Sequence, residues 1–197
     1  MPTREIAHPA DARARRAQRL AVAQALPGAA LDWAALDACP AWLARPAPAR
    51  ELLCAHAGAW WLGAALRACI DGKRLARVCD LLGEPRLNAL RDAPAIARAE
   101  ALGQAPAPLL PAADDVPQHL VACGRALLGW SLPANVRAPV LQHLGWPLDE
   151  GPHAAFAAHP DWARQALQAA LDDAAPMPAE ALQAPAEELL DDYAIDS

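Results

Sequence analysis

Twenty prolines are spread through a chain of 197 residues, and they limit the length of every element it can build. Proline lacks a backbone N–H and its ring collides with the preceding turn, so it falls at helix starts and in loops. Between the prolines, alanine and leucine dominate. Phe156 is the only Phe and Tyr193 the only Tyr, and Val, Ile and Thr are scarce. A pleated sheet prefers β-branched and aromatic residues, whereas Ala, Leu, Arg, Gln and Glu favour helix. The expectation is an all-α fold: a single compact multi-helix domain over residues 1–175 with proline-rich loops, then a mobile acidic C-terminal tail over 176–197. A chain of this size can bury roughly 70% of its unfolded surface and needs neither disulfides nor a metal to fold.

The prolines and caps divide the chain. A first helix is expected over 10–26, closed by Pro27-Gly28. A second starts at Asp32, a good N-cap, and runs to about Ala44. Arg45-Pro46-Ala47-Pro48 reads as a linker. The strongest helix is expected over 49–70, where Leu52, Leu53, Ala59, Trp60, Leu62, Leu66 and Ile70 recur at helical spacing among small residues. Its apolar face is wide, so it is either buried on most sides or carries an interface besides its core face. A short helix over 73–82 stops at Gly83, a C-terminal glycine. Pro85 and Pro94 open two more, the second ending near Gly103. Residues 104–116 form a proline-rich loop. Helices resume over 117–130 and 139–144, residues 145–160 read as irregular, and a helix follows over 161–173. The tail holds at most a short helix over 186–193.

Charge is uneven. The net charge is −6, which opposes binding to nucleic acid phosphates unless the basic residues cluster. Residues 1–20 hold Arg4, Arg13, Arg15, Arg16 and Arg19 against Glu5 and Asp11, while from residue 140 onward Arg164 is the only base among eleven acids. Such blocks usually mean solvated ends; they can also steer two different partners. A helix-turn-helix reading fails because no second helix has a basic reading face. The five cysteines are odd in number, widely spaced and without a CxxC pair, the pattern of buried free thiols in a reducing compartment. The N-terminal stretch lacks the apolar core of a secretion signal. No apolar run reaches the ~20 residues that span a membrane. A cytoplasmic protein without membrane insertion is therefore expected.

Candidate chemistry is thin. Cys54-Ala55-His56 brings together residue types used in nucleophilic catalysis and zinc binding. On a helix, however, positions i and i+2 diverge by about 200°, so Cys54 reads as a core thiol. Zinc would need about four ligands, and none assemble at recognisable spacing. Asp114-Asp115, Asp149-Glu150, Asp172-Asp173 and Asp191-Asp192 sit in no metal-binding frame. Neither a phosphate loop nor a hydrolase or metalloprotease motif is present, so no enzyme, cofactor or metal is expected. Trp60-Trp61 is more informative. Adjacent helix positions differ by about 100°, so one Trp can face the core and the other a partner. Trp130 and Trp146, each beside a chain break, raise the same choice. Arg67, near the end of the main helix, either complements its dipole or pairs with a partner's acid. Trp61 and Arg67 are the expected protein-contact residues.

The stretch Glu51–Leu90 reads ELLCAHAGAWWLGAALRACIDGKRLARVCDLLGEPRLNAL. Its pattern is Leu52-Leu53-Cys54, then Gly58, then a small-residue helix through Gly63 and Ala65 to Arg67, Cys69 and Ile70. A leucine-rich segment follows with Leu75, Leu81, Leu82, Glu84, Leu87 and Leu90. This resembles the SctK family of type III secretion systems, accessory proteins of the cytoplasmic sorting platform. A weaker likeness covers Leu127–Leu148, around Trp130 and Pro147-Leu148. The resemblance implies a non-catalytic adaptor at the cytoplasmic face of the inner membrane. Such an adaptor bridges the cytoplasmic domain of the ring protein (SctD) to the pod protein (SctQ), and through it reaches the stator (SctL) and the ATPase (SctN). Two rival expectations stand beside it: a type III secretion chaperone or regulatory binder, a class that usually contains strands, and a thiol enzyme using Cys54.

Overall fold

The computed structural model describes residues 9–106, 109–147 and 151–173. Among them there are eleven α-helices and no strand, so the fold is all-α. The acidic tail expected over 176–197, with its short helix over 186–193, lies outside the described residues.

The first helix, α1 (Pro9–Ala25), and the second, α2 (Trp33–Ala38), are joined by a turn in which Gly28 takes a positive φ. Asp32 caps α2 as expected, its carboxylate accepting from the Ala35 N–H at 2.7 Å. Instead of running to Ala44, α2 stops at Ala38. Pro40 disfavours the helical region for the residue before it, and Cys39 accordingly turns to extended backbone. A 3-10 turn follows over Ala41–Ala44.

The expected linker at 45–48 is mostly helix. In α3 (Ala47–Trp61), Pro48 sits in the first turn, where its missing N–H costs nothing. Arg50 secures this start by donating to the carbonyls of Leu43 (3.3 Å) and Arg45 (2.6 Å).

The expected single helix over 49–70 is two. The chain breaks at Leu62 and continues as α4 (Gly63–Ala68) before turning extended at Cys69. The break lets Gly63 meet Ile96 so closely that a Cβ there would lie 2.5 Å from the Ile96 methyl. Ile70 falls past the end of α4 and is exposed, not core.

Helix α5 (Gly72–Leu82) is capped by the Asp71 side chain, which accepts from the N–H groups of Lys73 and Arg74. Gly83 then takes φ +86° and ψ 148°, a region effectively reserved for glycine, and turns the chain sharply into α6 (Glu84–Arg91). Both α6 and α7 (Pro94–Ala101) carry proline in their first turn, as their sequences predict.

Helix α8 (Val116–Ser131) matches expectation to within a residue. The next, α9 (Ala134–Leu144), begins five residues earlier than expected and holds Pro139 inside. The proline removes only the bond to the Asn135 carbonyl, and Asn135 is exposed, so water can serve it. Residues 145–160 are also more ordered than expected, because α10 (Gly151–Ala158) forms there, followed by α11 (Pro160–Asp173).

Helix α3 is the centre of the molecule. Leu53, Cys54, Ala55, His56, Ala57, Gly58, Ala59 and Trp61 are all buried, so its wide apolar surface is core on nearly every side. It packs most extensively on α8 and next on α11. The contact with α8 is a glycine crossing. A Cβ on Gly58 would sit 1.9 Å from the Leu120 carbonyl oxygen, and one on Gly124 1.8 Å from that of Cys54. As α3 advances from 54 to 58, α8 therefore retreats from 124 to 120, and the two helices run antiparallel with backbones in contact. The Glu51–Arg125 ion pair (2.6 Å) closes this contact at the surface.

Candidate functional site

Trp61 and Arg67, the expected contact residues, are not brought together on one surface. Trp61 is 4% exposed. Its ring meets Phe156 of α10 edge-on at 4.7 Å, and the Trp162 indole of α11 donates to its carbonyl at 3.2 Å. It is a core residue whose faces α10 and α11 cover, which corrects the expectation that it meets a partner. Of the pair it is Trp60 that reaches the surface, where its indole N–H donates to Asp173 at 2.7 Å. Trp146 likewise belongs to the core, stacked on Trp42 with centroids 6.0 Å apart.

Arg67 is partly exposed, but its guanidinium has two partners. It donates to the carbonyl of Arg91 at 2.7 Å, and it pairs with Glu100 of α7 at 3.1 Å. Arg91 is the last residue of α6, where backbone carbonyls lack helical partners. Arg67 thus ties α4 to the end of α6 and to α7. Its remaining surface borders an open polar hollow of about 350 Å³ with Asn88, Arg91 and Asp92. Arg137 does the same at the end of α8, donating to the carbonyls of Trp130 (2.8 Å) and Leu132 (2.9 Å).

The thiols are poorly set for chemistry. Cys54 lies fully buried at the α3–α8 crossing. Burial, then the nearby Glu51 charge, pushes its pKa up to about 12, against a smaller opposing pull from Arg125 and Arg50. His56 is buried on the same helix, its Nε2 without a hydrogen-bond partner. Burial, then the Arg86 cation, lowers its pKa, and Asp173 offsets this only in part. The Cys/His pair that does meet is one that sequence reading missed. His119 and Cys123, at i and i+4 on α8, stand 3.6 Å apart from Nε2 to Sγ. Their spacing was the available signal, since such positions share a helix face. Burial pushes Cys123 up to about 11, so its thiol stays protonated at neutral pH. Among the described residues no three His, Cys, Asp or Glu side chains gather as a metal site.

Two surface features remain. On α1 and α2, Ala12, Arg15, Arg16, Arg19 and Trp33 line an open concavity of about 500 Å³, and Trp33 is 64% exposed. Where α4 gives way to α5, Ala65, Ala68, Cys69 and Ile70 form a hollow of about 290 Å³ with Leu109 and Leu110, bordered by Asp71 and Arg74. Ile70 and Leu109 are 98% and 96% exposed. No helix among the described residues is long and apolar enough to cross a membrane. Among the described residues, the fold is all-α and its surface includes a basic-aromatic and an apolar exposed patch. No family model, curated protein or solved structure matches the chain.

Proposed function

We propose that this chain is a non-catalytic adaptor of the type III secretion sorting platform. It bridges an SctD-like ring domain to an SctQ-like pod protein at the cytoplasmic face of the inner membrane, and reaches the SctL stator and SctN ATPase through the pod. The observation that carries this reading is the SctK-like pattern over Glu51–Leu90. Part of its spacing has a packing logic in this fold: Leu53, Cys54, Gly58, Gly63, Cys69, Leu82, Leu87 and Leu90 are buried, while Leu52, Ile70 and Glu84 are exposed. About half of the pattern thus coincides with core positions. A bridge also needs two separate contact surfaces on one helical body. The basic-aromatic concavity and the apolar hollow at Ile70 and Leu109 supply two of opposite chemistry, and Arg67 borders a third, polar hollow.

Co-purification of the tagged protein from its own host, with mass spectrometry of what accompanies it, tests the reading. Pod, stator and ring proteins are expected. Ile70→Asp with Leu109→Asp should weaken recovery of one platform partner at least tenfold while leaving helical circular dichroism unchanged. A single secreted effector with no platform component would replace the adaptor with a chaperone.

A further inference from the structure

The basic-aromatic concavity on α1 and α2 has an acidic counterpart in the same chain. Residues 174–197 carry Glu180, Glu187, Glu188, Asp191, Asp192 and Asp196 and no Lys, Arg or His. Apolar residues Leu189, Leu190, Tyr193 and Ile195 are interleaved with the last four of these acids. We propose that the acidic segment around 187–196 docks in cis on the concavity formed by Arg15, Arg16, Arg19 and Trp33, covering this face of the protein until a partner displaces it.

Three observations carry the proposal. First, the concavity is built for an acidic and partly apolar occupant. Arg15, Arg16 and Arg19 fall on one side of α1, and the largely exposed Trp33 indole completes the lining. Aromatic and arginine side chains together are the composition of binding hot spots. Second, the acids of the α2 end are already engaged: Asp37 pairs with Arg19, and Asp32 caps α2. The Asp37 pair balances Arg19, and Arg16 makes no ion pair with an acid of the described residues, so its charge is left for an acidic occupant. Third, the reach is sufficient. The tether before the docked segment, residues 174–186, spans up to roughly 45 Å when extended, whereas a domain of this size has a radius of gyration of only about 16 Å. Tethering raises the local concentration of such a segment to the order of millimolar, which an untethered acidic peptide in solution does not reach. Nucleic acid, the other polyanion, faces the repulsion of the whole acidic chain.

The test uses the full chain labelled with 5-fluorotryptophan, the Trp33 resonance being assigned by its loss in Trp33→Phe. Four proteins are compared in low salt: the wild type, a neutral-tail variant (E187Q, E188Q, D191N, D192N), Arg16→Glu, and the two combined. The neutral-tail variant and Arg16→Glu should each move the Trp33 resonance. In the Arg16→Glu background the tail substitutions should move the resonance far less than they do in the wild type, and ~0.5 M salt should move the wild type towards the neutral-tail position, because screening at that strength confines charge attraction to a few ångström. A synthetic peptide of residues 186–197 should bind the neutral-tail variant at least tenfold more tightly than the wild type, whose own segment competes. A Trp33 resonance that is the same in the wild type and the neutral-tail variant overturns the proposal. So does a wild-type resonance that moves with protein concentration, which would place the segment on a second copy. Since every measurement is made on the isolated protein, failure of the adaptor reading leaves this result unaffected.

Discussion

Among the described residues, His56 is the histidine buried in the core. It is buried in the central helix, its Nε2 has no hydrogen-bond partner, and the Arg86 cation adds to the effect of burial in disfavouring its charged form. Its folded pKa is lowered, so it is neutral in the folded protein, while in the unfolded chain it protonates below about 6.5. In that window the unfolded state binds more protons, and stability falls as pH drops. Chemical denaturation at pH 7.0, 6.0 and 5.5 should show stability falling at each step, by no more than ~1.4 kcal/mol per pH unit from this single group. His56→Leu should remove that slope and leave stability at pH 7 equal or higher, since an unpartnered buried polar atom goes with it. Retention of the full slope would assign the acid sensitivity elsewhere. The thiols give a second measurement at this scale. Cys54 and Cys39 are buried, and Cys54 is held protonated to about 12, whereas Cys79 is partly exposed. Alkylation of the native protein should therefore modify Cys79 well before Cys54, which should react only as the protein unfolds. Rapid modification of Cys54 at neutral pH would revive a thiol chemistry that its surroundings oppose.

Helix boundaries were legible where the signal is local and obscure where it is tertiary. Asp32 and Asp71 cap helices, Gly83 ends one, and Pro85 and Pro94 open others, because capping and proline chemistry act within a turn. The break at Leu62 has no proline to announce it; it arises where Gly63 accommodates Ile96 from a helix more than thirty residues on. Pro139 was misleading in the other direction, since inside α9 it costs one bond, to the exposed Asn135 carbonyl, that water can replace. The same distinction decides the glycines of the α3–α8 crossing. The sequence shows small residues in α3, but only the packed pair reveals that Gly58 and Gly124 each face a carbonyl of the opposite helix. Gly58→Ala or Gly124→Ala must force the backbones apart, and each should destabilise the protein by about 3 kcal/mol or more. Gly72, at the start of α5, has nothing near its added methyl and no positive φ. Gly72→Ala should therefore stabilise by ~0.4–1 kcal/mol, through reduced freedom of the unfolded chain. Thermal denaturation of the three variants checks both signs; equal effects would mean that the crossing is looser than its geometry indicates.

At the scale of the molecule, the all-α class followed from composition, but the surfaces did not. Trp61 was read as a contact because adjacent helical positions diverge, and that argument cannot say which of two neighbours faces inward. The burial of α3 on nearly every side, with α10 and α11 over its C-terminal end, settles it in favour of Trp60 outward. The apolar hollow at Ile70 and Leu109 joins segments distant in sequence, which no local pattern could pair. The arrangement also sets an order of local stability. Helix α3 is enclosed by α8 and α11, whereas α1 rests chiefly on α2 and the 3-10 turn at 41–44, with Val22 and Leu26 as its buried anchors. Regions with few buried apolar contacts open at lower free energy than the core. Native-state hydrogen exchange should show the amides of α3 and α8 exchanging only through global unfolding. Those in the first two turns of α1 should exchange orders of magnitude faster, and Val22→Ala should extend that opening along α1 without reaching α3. If α1 and α3 instead exchange with one common free energy, the molecule unfolds as a single unit and the basic face is as firmly held as the core.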